Sequence, residues 1–134
     1  MSTFVKRQCA IKNSLSLLQA LAELGYPEAE LHEVPQHLYG YHGDRRPEVA
    51  HVIVRRDRVG PSSNDIGFLR GPDGQWEAII SEFDQSRHDA LWQRKLAQLS
   101  AVHNSMRVAR DRGFDVRRTV DERNRPKLVL SRLR

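Results

Sequence analysis

Two groups of residues have the side-chain types that could do chemistry: a series of histidines and a pair of carboxylates. His32, His37 and His42 recur every five residues. That spacing puts no two of them on one helix face, and it alternates faces along a strand. The sequence has a single cysteine, Cys9, and no His-Glu-x-x-His motif, so the common zinc-binding patterns are absent. We interpret the histidines as surface or hydrogen-bonding residues and predict no metal site.

Glu82 and Asp84 follow an apolar segment, and on an extended chain residues two apart point to the same side. Two neighbouring carboxylates could raise the pKa of one of them and form an acid/base pair. The favoured alternative is that they cap the following helix or face water. The sequence contains no phosphate loop, dinucleotide-binding motif or nucleophile elbow. We therefore predict no catalytic residue and no cofactor.

Cys9 and His103 are single residues with reactive side chains. Cys9 lies in a strand-like stretch, and we interpret it as a small buried hydrophobe, because a nucleophilic thiol needs a nearby base that the sequence does not reveal. His103 lies close to the apolar stripe of a long predicted helix. We expect it to be partly buried and to donate to a carbonyl.

The net charge is concentrated at the C-terminal end. The segment 110–134 has nine basic and four acidic residues, which accounts for the whole formal charge of +5. We predict that Arg117, Arg123 and Arg125 are exposed and form the most positive patch. Such a patch could meet phosphates or an acidic protein. Phe114 is the only aromatic residue in this segment, which argues against a platform that stacks single-stranded bases. A solvated basic face is the favoured interpretation.

Length and composition indicate one globular domain over residues 1–134. The chain is 39% apolar and 29% charged, in the range of ordinary soluble domains. No apolar run approaches the roughly 20 residues that span a bilayer, and the N-terminus lacks the apolar core of a signal peptide. The single cysteine fits a reducing compartment. We expect a cytoplasmic protein with no membrane partner.

The periodicity predicts an α+β fold, with a mostly antiparallel sheet and two helices on one face, in the order β-α-β-meander-α-β-β. The opening strand, Thr3–Ile11, is expected to have one apolar face formed by Val5, Cys9 and Ile11. A first helix follows from a cap at Asn13 or Ser14 and stops near Gly25. The predicted strands of the middle are Leu31–Val34, ended by Pro35, then His37–Tyr41, Val49–Arg56, Ile66–Arg70 and Gln75–Ser81.

The second half of the chain predicts a long helix and a final pair of strands. The helix has an apolar stripe at steps of three and four and ends at Gly113. The stripe consists of Trp92, Leu96, Leu99, Val102 or His103, and Met106. The last two strands are expected at 114–120, where apolar and polar residues alternate and the pattern buries Phe114, and at Lys127–Leu133. Gly67 interrupts a strand and predicts a bulge or a close backbone contact.

Several short segments resemble one protein family. They are Asp65-Ile66-Gly67-Phe68, Gly74-Gln75-Trp76-Glu77, Gly113-Phe114-Asp115-Val116, Gly40-Tyr41-x-Gly43 and Leu128-Val129-Leu130. Together with the opening strand they resemble the hypothetical chloroplast reading frame thirty-five family of cyanobacteria, algal plastids and other bacteria, whose function is unknown. The resemblance covers nearly the whole chain. It departs in the long helix, where family members tend to carry tyrosines at the positions of Ser100 and Val102.

The resemblance carries over no catalytic residues. Bacterial relatives in the family are encoded near AAA-class ATPases, which implies an accessory or adaptor role. The first hypothesis is therefore a non-enzymatic protein-interaction module with a protein partner, such as an AAA ATPase. The alternative is a nucleic-acid-binding protein that uses the basic C-terminal segment. The third hypothesis is an unrecognised small enzyme.

Overall fold

The chain forms one antiparallel sheet, three helices and a separate two-stranded ribbon, in a computed structural model that describes residues 2–132. The strands are β1 (Phe4–Cys9), β2 (Glu30–Tyr39), β3 (Arg45–Val54), β4 (Ile66–Arg70), β5 (Trp76–Ser81), β6 (Phe114–Val120) and β7 (Pro126–Arg132). The helices are α1 (Ser14–Glu23), α2 (Arg56–Val59) and α3 (Ala90–Asp111), with a 3₁₀ turn at Phe83–Ser86. The sheet has the order β1-β5-β4-β3-β2, and all of its pairs are antiparallel. The predicted α+β class and the central meander are confirmed.

The main core lies between the sheet and the helices α1 and α3. Leu17 and Leu21 of α1 meet Leu96 and Leu99 of α3 over sheet residues such as Phe68. Each lies on the apolar side of its helix at a spacing of three or four, which is why both helices settle on the same face. Burying a side chain of this size stabilises the fold by about 1.5–3 kcal/mol. Of the helices described, none combines the length and hydrophobicity that crossing a bilayer requires.

The ends of both long helices follow local capping rules. Asn13 Oδ1 accepts from the backbone N–H of Ser16 at 2.8 Å, and Asp89 Oδ1 accepts from that of Trp92 at 2.9 Å. These bonds satisfy donors that a helix leaves free in its first turn. Gly113 follows α3 with φ +86°, a conformation that glycine adopts without the strain a side chain would bring. The sequence predicted the Asn13 cap and the Gly113 stop.

The opposite face of the sheet has a second, smaller core without a helix. It contains Phe4, Leu38, Ala50, Ile53 and Ile79. The β2–β3 hairpin covers this face, because Arg46 of β3 lies 5.0 Å from the centre of the Phe4 ring on β1, and β1 is at the far edge of the sheet from β2. Such a contact requires the hairpin to curl across the sheet.

The opening strand contributes to both cores: Cys9 and Ile11 of the predicted apolar face are buried in the main core, but the opposite face also carries a buried residue, Phe4. Phe4 and Cys9, at its two ends, are both buried, Phe4 in the smaller core and Cys9 in the main one. The residues between them are exposed or half-buried. The strand lies between two cores, so that alternation along one face does not describe its burial.

The boundaries of the β2–β3 hairpin also differ from the prediction. Residues 30–39 form one strand through Pro35 instead of two short pieces. The register jumps from Leu31–Val52 to Gln36–Ala50, so three extra residues bulge out of β2. Proline is tolerated there because a bulge on an edge strand needs no N–H from it. β3 covers 45–54 instead of Val49–Arg56, and the unpredicted α2 follows it.

The last two strands form a ribbon that pairs only with itself among the described residues and packs on α3. Phe114, which the pattern predicted to be buried, is half-buried, while Val116 is buried and Val120 is 56% exposed. A lone hairpin of two strands is marginally stable in water, and this one depends on its contacts with the helices. Arg118 donates to both carboxylate oxygens of Glu23, at 2.6 and 2.8 Å. Leu133, at the predicted end of β7, lies outside the described residues.

Candidate functional site

A groove that extends from the edge strand β2 across β3 and β4 to β5 combines apolar walls with polar groups, the arrangement typical of binding sites. Its volume is ≈ 410 Å³, within the range of about 300–1,000 Å³ common for ligand sites. We call it the sheet-edge groove. The residues that line it are Ser14, Leu31, His32, Glu33, His51, Arg70 and Trp76. A larger depression of ≈ 540 Å³, lined by Tyr41, Glu82 and Phe83 among others, is more open to solvent.

The groove lies where the regular pairing of β3 with both of its neighbours is interrupted. The β3–β4 ladder ends at the Val52–Phe68 pair, and beyond it the backbone N–H of Arg70 donates to Nδ1 of His51 at 3.1 Å instead of to a strand carbonyl. On the other side of β3, the bulge in β2 begins directly after Leu31. The two irregularities open the sheet around His51. The groove is therefore a consequence of the strand register.

Leu31 and Trp76 supply the apolar part of the groove. Leu31 is 51% exposed, whereas Trp76 is 3% exposed and forms part of the floor. The rings of His51 and Trp76 meet edge to face with their centres 6.2 Å apart. Val34, in the bulge that follows Leu31, is 68% exposed. Single exposed leucines are common on protein surfaces, but Leu31 lines a concave surface whose floor is aromatic.

The polar part of the groove offers hydrogen-bond donors. Because Nδ1 of His51 accepts from Arg70, the neutral ring carries its hydrogen on Nε2. Burial, and then the nearby Arg70 charge, lower the pKa of His51, so the ring is neutral at neutral pH. No carboxylate among residues 2–132 forms an ion pair with Arg70, and Glu33 has no basic partner there either.

His32 lines the same groove but is held by a neighbour. Its Nε2 lies 2.7 Å from Oε1 of Glu30, and Nε of Arg55 donates to Oε2 of the same carboxylate at 3.0 Å. Burial alone would raise the pKa of Glu30, but the hydrogen bonds from Arg55 and His32 outweigh it and the pKa is lowered. His32 is therefore engaged in an ion-pair network beside the groove, and the free polar groups are those of His51, Arg70 and Glu33.

The predicted histidine series does not converge. His32 contacts Glu30, His37 Nδ1 lies 2.7 Å from the carbonyl oxygen of Arg46, and His42 stacks on Tyr41. Within the described chain, no three His, Cys, Asp or Glu side chains gather in a way that could hold a metal ion. His103 lies 2.9 Å from Oε1 of Glu23, so the expectation that its partner is a carbonyl is wrong.

Asp84 and Glu82 are separated by burial. Asp84 is 4% exposed, and its Oδ2 accepts from Oγ of Ser81 at 2.7 Å and from the backbone N–H of Asn64 at 3.0 Å. Glu82 is exposed, and no hydrogen bond in residues 2–132 joins the two carboxylates. Asp84 thus ties the Asn64 loop to the 3₁₀ turn. The arrangement is that of a structural anchor, and the two residues do not form an acid/base pair.

Asp65, next to Asn64, is a second buried anchor. It is 1% exposed. Its Oδ1 accepts from the backbone N–H of Arg56 at 2.7 Å, and its Oδ2 accepts from that of Tyr39 and from Nη1 of Arg55, each at 2.8 Å. These bonds hold β2, the start of α2 and the start of β4 together.

The thiol of Cys9 is buried, as the sequence predicted. Burial raises the pKa of this thiol to about 11, so the protonated form, which is a poor nucleophile, dominates at neutral pH.

The three arginines of the predicted basic patch lie on the ribbon. Arg117 is exposed in the middle of β6, opposite Val129, while Arg123 and Arg125 are exposed in the turn before β7. Nε of Arg125 donates to Oδ2 of Asp121 at 2.8 Å. The exposure of the three residues agrees with the sequence analysis. That they form the most positive patch stays a prediction.

The sequence analysis missed the sheet-edge groove. One signal was available, since His51 interrupts the apolar run of the strongest predicted strand and the Pro35 segment stands beside it. No sequence pattern marked Arg70 or Leu31. They line the same groove because of a bulge in β2, which hydrophobic periodicity does not reveal.

A comparison with protein families identifies the chain. The family model described as "Protein of unknown function (DUF1257)" matches residues 20–128, which is most of the sequence. The chain belongs to the DUF1257 family. This confirms the expectation of an uncharacterised family, and the match extends over the groove residues from Leu31 to Trp76. No curated protein and no solved structure matches the chain.

Proposed function

We propose that this DUF1257 protein is a non-enzymatic interaction module that binds a segment of a partner protein in the sheet-edge groove. The observation that carries the proposal is the coincidence of exposed Leu31, the aromatic floor of Trp76 and the unpaired Arg70 in one concave surface. Aromatic and arginine side chains dominate the energetics of protein interfaces. The placement of Arg70 beside an apolar wall therefore fits recognition of a peptide segment.

The buried acidic groups support a binding role over catalysis. Asp65 and Asp84 each accept several hydrogen bonds from the backbone and neighbouring side chains, which leaves them occupied as anchors. A general acid or base needs to reach a substrate proton directly or through one water. His51 also has a structural partner in the N–H of Arg70. The groove thus supplies recognition groups, and none of its residues is paired with a nucleophile.

The family resemblance suggests the setting for this module. An accessory protein of a larger machine, such as an AAA ATPase, needs a surface that recognises a short segment of that machine. We propose this role and a cytoplasmic location, where the thiol of Cys9 stays reduced. Separation of host-cell fractions followed by immunodetection tests the location. Recovery in a membrane or secreted fraction would contradict it.

The experiment that tests the interaction role compares groove variants in the native host. The tagged full chain, Leu31→Ser and a matched control, Leu130→Ser, are purified and the co-purifying proteins quantified. Leu130 is 48% exposed on the ribbon, so both changes remove a similar exposed leucine. We expect at least one protein to be retained by the wild type and the control and to be depleted about tenfold in Leu31→Ser, a loss of about 1.4 kcal/mol. A partner list unaffected by Leu31→Ser would overturn the proposal.

The alternative function is nucleic-acid binding through the ribbon, and one observation favours it. The segment that contains β6 and β7 accounts for the whole net charge of +5. Binding through phosphates would be insensitive to groove variants and strongly dependent on salt. The two functions therefore predict opposite responses to Leu31→Ser and to ionic strength.

A further inference from the structure

We infer that the groove recognises an extended peptide segment with one large apolar side chain and one carboxylate, the carboxylate lying against Arg70. This inference rests on the proposed function and gives the chemistry of the partner. The apolar side chain would pack between Leu31 and the Trp76 floor.

Arg70 and His51 give the groove free hydrogen-bond donors. Arg70 has no ion-pair partner in the described part of the chain, and a guanidinium can donate two parallel hydrogen bonds to a carboxylate. Because Nδ1 of His51 is occupied by the Arg70 N–H, its Nε2–H is the free donor of the ring. Both side chains line the groove. The free groups on this side are therefore donors, which a carboxylate complements.

Glu33 limits the number of acids that the ligand can carry. It is exposed and lines the same groove without a basic partner among residues 2–132. A second negative charge placed near it would be repelled, since like charges in contact oppose binding. The groove is thus matched to a single carboxylate. A run of acidic residues or of phosphates, as in a nucleic acid, does not fit it.

The register of β2 indicates that side chains carry the recognition. β2 is an edge strand, which in other proteins can pair with an added peptide strand. Here Pro35 has no N–H, and the carbonyl oxygen of Val34 already accepts from Nε2 of Gln36 at 3.1 Å. Few backbone groups of the bulge are left for a continuous ladder. The segment therefore binds through its apolar and acidic side chains and does not add a strand to the sheet.

The experiment selects ligands from a display library of random linear heptapeptides, using the folded full chain as bait. We expect the enriched peptides to share a large apolar residue and one Asp or Glu within two positions of it. The affinity of an enriched peptide is then measured by fluorescence anisotropy. Arg70→Gln should weaken binding by about tenfold or more, because it leaves the carboxylate unpaired. Arg70→Lys, which keeps the charge without the planar fork, should weaken it less.

Two controls separate recognition from folding. Arg110 is exposed near the end of α3 and, like Arg70, has no ion pair in the described residues, so Arg110→Gln should leave the affinity unchanged. Glu33→Gln should tighten binding of a peptide with a second acid, an effect that misfolding cannot produce. Circular dichroism checks that each variant is folded.

Each outcome bears on the inference. No enriched peptide, a consensus without acids, or equal binding to Arg70→Gln would overturn the carboxylate assignment. If enriched peptides ignore Arg70 but lose affinity with Leu31→Ser, the interaction function stands and only the chemistry of the partner is wrong. If native partners also ignore Leu31, the proposed function fails with it.

Discussion

Gly67 of β4 and Ala50 of β3 are packed so closely that a side chain on Gly67 has no room. A Cβ atom built on Gly67 would lie 2.7 Å from Cβ of Ala50 and 2.9 Å from Cδ2 of Leu38. Both neighbours are fully buried in the smaller core. The close approach lets the curled β2–β3 hairpin lie against β4, which explains why a glycine interrupts an otherwise apolar strand.

Gly67→Val is therefore expected to destabilise the fold. Overpacking in a buried site typically costs about 1–3 kcal/mol of stability. We expect a loss in the upper part of that range, because the side chains that valine would meet, Ala50 and Leu38, are fully buried. The measurement is a thermal melt with a parallel urea titration. A melting temperature equal to that of the wild type would contradict the prediction.

The same contact allows a sharper test with two small changes. Gly67→Ala places one methyl group against Ala50 and Leu38, and Ala50→Gly removes the nearest of the atoms that this methyl group would meet. We expect the double variant to be more stable than the sum of the single effects predicts, because the two positions are in direct contact. Strict additivity would show that the Gly67–Ala50 contact is not the cause.

Asp84→Ala is expected to lower the free energy of unfolding by about 3 kcal/mol. The change leaves the buried Ser81 hydroxyl and the Asn64 N–H without their acceptor, and each unsatisfied buried group costs about 1–3 kcal/mol. The control is Glu82→Ala, two residues away and exposed, which should change stability by less than about 0.5 kcal/mol. Urea denaturation of both variants checks the prediction, and similar effects at the two positions would refute the assignment of Asp84 as a structural anchor.

The Glu23–Arg118 pair predicts a stability difference that depends on pH. The hydrogen bond from Arg118 is the largest influence on Glu23, and together with the hydrogen bond from His103 it outweighs the opposing effect of burial and lowers the pKa of Glu23 to about 2. Because the folded-state pKa lies below the ordinary value of 4.5, the stabilisation is present above pH about 4.5 and is lost as the pH falls towards 2. The pair is about one-third exposed, so its contribution at neutral pH is below about 1 kcal/mol.

Comparison of two adjacent arginines isolates this effect. Arg118→Gln should reduce stability at pH 7 and converge on the wild type as the pH falls through 2, because Glu23 then becomes protonated in the fold as it already is in the unfolded chain. Arg117→Gln, on the other face of the ribbon, should show no such convergence because it has no carboxylate partner in the described chain. Urea titrations at several pH values measure it. Parallel curves for both variants would exclude the Glu23–Arg118 linkage.

Local patterns predicted the elements of this fold that depend on local interactions. The helix cap, predicted at Asn13 or Ser14 and found at Asn13, and the Gly113 stop act within one helical turn, and the structure confirms both. In the predicted stripe of α3, Leu96 and Leu99 are buried and the other members are half-buried. Ile66–Arg70 likewise has its predicted bounds. The positions of these signals in the sequence are enough to determine them, since no distant contact competes.

Features that arise from long-range packing were not predictable in this way. The burial of Phe4 depends on Arg46 and the curled hairpin, some forty residues away in the chain. The sheet-edge groove depends on a three-residue bulge beside Pro35, for which the alternation of side chains gives no register. The exposure of Val120 follows from the ribbon packing on α3 instead of joining the sheet. Hydrophobic periodicity predicts which face of a single helix or strand is buried. The groove depends instead on an irregular pairing between strands, which periodicity does not reveal.

The basic ribbon gives the last prediction, which separates the proposed function from nucleic-acid binding. Within the turn, Asp121 and Glu122 balance Arg123 and Arg125, and the backbone N–H and then the guanidinium of Arg125 lower the pKa of Asp121, so this carboxylate stays ionised. We therefore expect fluorescence anisotropy to show binding of the wild type to labelled duplex DNA or single-stranded RNA no tighter than about 10⁻⁴ M at physiological salt. The triple change of Arg117, Arg123 and Arg125 to glutamine should make little difference to this affinity.

The alternative function would be favoured by micromolar binding at low salt that falls steeply as salt is added, because phosphate contacts release counterions. The triple change should then weaken binding to all nucleic-acid sequences, since phosphate contacts carry little sequence information. Tight binding that ignores salt would contradict the electrostatic mechanism even if the partner is a nucleic acid.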